Sequence, residues 1–168
     1  MLSAYDFQLD VYRAMCAAAW IMFFLILKNV VLVLALVVRR RKESLYKIPE
    51  DADKFGPSRP TEYIDEYSLT GRIEKCLKND VEYVPYFFIL LLIMFCRVDL
   101  VRKENHHYLA RTCLYGLTFV VARYLHTIAY LIRNSYGRIL GFLLSVLIIF
   151  VLFIDHLYYM SKSVYPSP

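Results

Sequence analysis

Residues 15–42 read MCAAAWIMFFLILKNVVLVLALVVRRRK. Before the basic cluster at its end, this stretch holds only two polar side chains, Lys28 and Asn29. About 20 apolar residues in a helix cover the ~30 Å hydrocarbon core of a bilayer, so the run is long enough to cross one. A cleaved leader has its basic residues first and an apolar stretch of roughly 7–15 residues. Here the preceding flank carries Asp6 and Asp10, and Arg39-Arg40-Arg41-Lys42 follows the run. That order predicts a retained membrane helix with its carboxyl end in the cytosol.

Working outward, three more apolar runs occupy residues 81–96, 108–131 and 139–157. The first of these continues at its amino end into a polar helix that starts near residue 67. None alternates in the manner of a barrel strand, and lipid admits only helices or closed barrels. The prediction is an all-α, four-helix transmembrane bundle in one integral membrane domain covering residues 1–168. Its helices span residues 15–38, 67–96, 108–131 and 139–157, with a cytosolic loop over 39–66. Composition agrees, since 59% of residues are hydrophobic, against about 45–50% in soluble domains.

The net charge of +5 raises the question of nucleic acid. The charges alternate with long apolar runs, however, and so mark membrane flanks; no nucleic-acid partner is expected. Loops one and three carry Arg39, Arg40, Arg41, Lys42, Lys47, Lys54, Arg59, Arg72, Arg133 and Arg138. The other side holds Arg13, Arg97, Arg102, Lys103 and Lys162, half as many. Both termini are therefore expected on the lumenal or outer face, with loops one and three cytosolic. Cys16, Cys76, Cys96 and Cys113 lie far apart without a CxxC pair, which gives neither a disulfide framework nor a metal site. The first loop contains Pro49, Gly56, Pro57, Pro60 and Gly71, which break regular structure.

Polar groups within the apolar runs carry the most information, because a charge at the bilayer centre costs ~2.5–3.5 kcal/mol on insertion scales. At 100° per residue, Arg72, Lys75, Asn79, Glu82 and Tyr86 share one face of the second helix. Such a face is either a snorkelling basic flank or a wall of a polar site. Arg123, His126 and Tyr130 share a face of the third helix, with Thr127 beside it. Arg123 is too deep to reach water easily; it either pairs across helices, for example with Glu82, or serves a ligand. Lys28 is either a packing residue paired across the bundle, the favoured reading, or part of a site. Arg40 and Arg138 stand at cytosolic helix ends. The cations thus converge on the cytosolic half, where a small polyanion would fit.

The segments Pro49-Glu50-Asp51-Ala52, Asn79-Asp80-Val81-Glu82 and Ala122-Arg123-Tyr124-Leu125-His126-Thr127-Ile128-Ala129-Tyr130-Leu131 resemble the MAPEG proteins, membrane-associated proteins in eicosanoid and glutathione metabolism. Within them the chain looks most like the microsomal glutathione transferase and prostaglandin E synthase branch. The resemblance implies a homotrimer in the endoplasmic reticulum, with glutathione bound between subunits near the cytosolic side. It implies glutathione contacts at Arg40, Lys75, Lys78, Asn79, Glu82, His126, Tyr130 and Arg138, with Arg123 as a supporting cation. As catalytic residues it implies Arg138, which would stabilise the thiolate, and Asp51, which matches the loop aspartate of the family and either takes part in the prostaglandin synthase reaction or orders the loop. The implied partners are glutathione, a lipophilic electrophile or lipid hydroperoxide from the bilayer, and membrane lipids.

Departures from the resemblance bear on which activity to expect. Lys75 and Lys78 replace arginines frequent in relatives. Ile139 and Phe142 stand where the prostaglandin synthase has a serine and a tyrosine, and Ala52 replaces the cysteine of the transferase loop. The expectation is a membrane glutathione transferase, with glutathione peroxidase as a companion activity. The alternatives are a glutathione-dependent prostaglandin E synthase and a non-catalytic lipid-binding or scaffold protein.

Overall fold

A computed structural model describes residues 4–44, 53–54, 68–96 and 107–164. Among these residues the chain forms four long helices: α1 (Ala4–Glu43), α2 (Leu69–Cys96), α3 (Tyr108–Leu131) and α4 (Ser135–Val164). At ~1.5 Å per residue α1 is about 60 Å long, twice the hydrocarbon thickness. Its ends therefore continue as helix beyond the apolar run, through Asp6 and Asp10 on one side and Arg39–Lys42 on the other.

Each helix buries one residue in every three or four, the period that brings side chains to a single face. α1 turns Ala14, Ala18, Ile21, Leu25, Lys28, Leu32 and Leu36 inward. α2 does the same with Ile73, Cys76, Asp80, Val84, Phe87, Leu91 and Met94. Phe119 of α3 and Ile148 and Leu152 of α4 complete the apolar core, in which the Phe87 and Phe119 rings stack at 4.1 Å. The outward faces are also apolar: Trp20, Leu34, Val121 and Phe150 are all more than half exposed. A water-soluble bundle places charge there instead.

Three stretches, Asp6–Glu43, Leu69–Cys96 and Ser135–Ser161, are long and apolar enough to cross a membrane. α3 falls outside that group because it carries Arg111, Arg123 and His126 along its length. It turns Arg123 and His126 inward, however, and presents Leu114, Leu117, Val121 and Ile128 outward. The helices and their lipid-compatible surfaces fit an integral membrane protein.

Polar contacts tie both ends of the bundle. At one end Asp10 accepts a hydrogen bond from the Leu109 N–H (3.4 Å), so α1 caps the start of α3. Arg111 pairs with Asp155 and lies 4.5 Å over the Tyr159 ring. At the other end Arg40 meets Glu74 (2.7 Å), and Thr70 donates to Glu43 (2.7 Å). Arg72 donates to the Leu131 carbonyl (3.3 Å).

The α3–α4 connection decides where the residues after it lie. The Asn134 N–H bonds the Ala129 carbonyl (2.8 Å) and the Arg133 N–H bonds that of Tyr130 (3.4 Å), with Arg133 at φ 65°. This is a Schellman cap with arginine in the left-handed position that glycine usually takes. Asn134 then caps α4, accepting the Gly137 N–H at 3.1 Å. Gly141 permits the close crossing that follows, since a Cβ there would stand 2.6 Å from the His126 backbone nitrogen.

Candidate functional site

Three charges meet inside the bundle. Asp80 accepts from Arg123 Nε (2.9 Å) and also pairs with its Nη2; the second Asp80 oxygen lies 2.6 Å from Lys28 Nζ. Lys28 also donates to Thr127 (3.3 Å). All four side chains are buried, Asp80 and Arg123 completely. The carboxylate is what allows two cations to sit at this depth. Lys28 is thus a packing residue, and the partner of Arg123 is Asp80, not Glu82. Arg123 also reaches Asn79 Oδ1 at 2.7 Å.

Beside this network, α2, α3 and α4 enclose a cleft of about 500 Å³. Its wall is Lys75, Lys78, Asn79 and Glu82 from α2, His126 and Tyr130 from α3, and Arg138, Ile139 and Phe142 from α4. The geometry follows from the helices. Lys75, Asn79 and Glu82 are three and four residues apart, so they stack along one side of α2. Arg138 lies one turn into α4, and the tight α3–α4 turn folds it back over Tyr130, 5.0 Å from the ring centroid. His126 Nδ1 lies 3.0 Å from the Arg138 carbonyl, which joins the two helices. Phe142 packs edge-on against Tyr83 at 5.4 Å. The cleft therefore offers three cations and one carboxylate at its polar end and an apolar corner at Ile139 and Phe142.

Of the residues singled out in the sequence, Lys75, Lys78, Asn79, Glu82, His126, Tyr130 and Arg138 come together in this cleft. Arg40 stands outside it, held by Glu74. Arg123 lies behind the wall. Arg72 is buried against Leu131, and Tyr86 faces a separate apolar cleft of about 380 Å³ between α2 and α4. Asp51 lies outside the described residues. Asp80 stands outside the set that helical periodicity picks out, because it occupies the apolar stripe of α2 and not the polar face next to it. Lys28 and Arg123, deep in apolar runs, demand a buried carboxylate but do not single out which one. Among the described residues no group of three or more His, Cys, Asp or Glu side chains is placed to hold a metal.

No curated protein matches the chain in sequence. The sequence pattern of the MAPEG family, by contrast, matches residues 18–158, which takes in the greater part of all four helices, the buried Asp80 network and every residue of the cleft. The chain belongs to the MAPEG family.

Proposed function

We propose that the protein is a membrane glutathione transferase, with glutathione peroxidase as a companion activity. Membership of the family suggests chemistry related to glutathione or eicosanoids; the charge pattern of the cleft is the observation that carries the finer reading. Glutathione has two carboxylates, one ammonium group and a thiol. Lys75, Lys78 and Arg138 complement the carboxylates and a thiolate, and Glu82 complements the ammonium group. His126 and Tyr130 add hydrogen-bonding groups on the facing wall.

Glutathione supplies the nucleophile. A free thiol, with a pKa of about 8.5, is mostly protonated at neutral pH. Arg138 raises the thiolate population by placing positive charge beside the sulfur, and the first turn of α4 adds the helix dipole in the same sense. Ile139 and Phe142 line this region without a hydroxyl, which favours transfer to an electrophile over the prostaglandin synthase reaction. The electrophile or lipid hydroperoxide reaches the cleft from the bilayer, past the exposed side chain of Ile139.

The proposal includes four crossings, with α3 as the fourth span, a homotrimer, and residence in the endoplasmic reticulum with the cleft on the cytosolic side. Lys78 and Glu82 are exposed on the open side of the cleft, where a neighbouring copy would cover them. Turnover assays on purified protein test the activity. Conjugation of a generic electrophile without isomerisation of a cyclic endoperoxide is expected. Isomerisation without conjugation would replace this reading with the synthase. Neither activity, together with poor glutathione binding, would leave a scaffold.

A further inference from the structure

We infer that Arg123 is a positioning residue that fixes the hydrogen-bonding sense of the cleft, so that the site selects a ligand with a secondary amide. The inference rests on the glutathione reading for its ligand and on the buried network for its geometry. An asparagine side chain has an accepting oxygen and a donating NH₂, whereas a guanidinium has donors only. The 2.7 Å contact between Arg123 Nη2 and Asn79 Oδ1 therefore turns the oxygen inward and leaves the NH₂ for the cleft. Arg123 is itself held by two contacts to Asp80, whose other oxygen is held by Lys28.

The opposite wall has the opposite sense. The Arg138 carbonyl can only accept, so His126 Nδ1 carries the proton in the 3.0 Å contact between them. Nε2 of the neutral ring is then an acceptor, and it is buried without a protein partner. A ligand filling the cleft must bring an acceptor to α2 and a donor to α3. A secondary amide presents both, from its C=O and its N–H. Lysines and arginines alone would bind any dicarboxylate; Asn79 and His126 add a preference for a ligand that also carries an acceptor and a donor, which a peptide link supplies in one group.

The test is Arg123→Gln, which removes the guanidinium fork but leaves Lys28 and Asp80 as a neutral pair. The glutathione KM is expected to rise about tenfold, the effect of one lost polar contact, with kcat at saturation little changed. Mercaptosuccinate, a dicarboxylate thiol without an amide, is expected to inhibit the wild type and the variant equally. An unchanged glutathione KM overturns the inference, and so does equal weakening of both ligands. A ligand-free readout is the ¹⁵N order parameter of the Asn79 side-chain amide. It should fall from about 0.8 to below about 0.6 in Arg123→Gln; an unchanged value overturns the inference. If the wild type does not bind glutathione, the transferase reading fails while the order parameter still decides the role of Arg123. Should Arg123→Gln not fold, Asn79→Asp keeps an oxygen for Arg123 and removes the donor. It is expected to reproduce the rise in KM, and a wild-type KM overturns the inference.

Discussion

At Asp80, two cations from different helices share one buried carboxylate. The asymmetry gives opposite expectations for its neighbours. Asp80→Ala leaves both cations unpaired and should lower stability by about 3–5 kcal/mol. Lys28→Met leaves Arg123 and Asp80 as a neutral pair and should change stability by less than about 1 kcal/mol. Reversible unfolding in detergent, followed by helical circular dichroism, measures both; equal losses would contradict the charge assignment. Lys28 and Arg123 could be recognised in the sequence as costly because each interrupts a long apolar run. Their partner could not, because Asp80 falls on the period of the core, and one sequence does not say which helices face one another.

The four helices were legible as elements because each carries a long apolar run, although only three are long and apolar enough to cross a membrane. Their limits were less so. α4 begins at Ser135, ahead of its apolar run, because Asn134 caps it there. A charged, polar turn carries no hydropathy signal, so only cap chemistry could have placed this start. Asn134→Ala should lower stability by about 1 kcal/mol through loss of the cap, as measured by thermal unfolding. Gly141→Val should act on the cleft. Its side chain cannot fit against the His126 backbone, so α3 and α4 must separate, carrying Arg138 away from His126. Glutathione binding should weaken at least tenfold (~1.4 kcal/mol or more) while helix content is retained. Unchanged calorimetric affinity would show that the crossing does not shape the site.

On the scale of the molecule, the basic residues among those described gather mostly at the end that holds the cleft, and apolar side chains face outward along the length of the helices. On the proposed reading, four crossings would place both termini on the same, lumenal side. In sealed microsomes a tag at either terminus should resist protease, and a tag in the first loop should be cleaved. A terminus cleaved without detergent would reverse the orientation. The sequence showed which cations converge on one end but not that they divide by role. Lys28 and Arg123 share the Asp80 carboxylate inside the bundle, while Lys75, Lys78 and Arg138 line the open cleft. The central claim concerns this second group. Its most direct test is titration of glutathione into detergent-solubilised protein while ultraviolet absorbance of the thiolate is followed. The wild type should give a saturable signal that Arg138→Ala reduces; no saturable signal, or one undiminished in Arg138→Ala, would contradict the account.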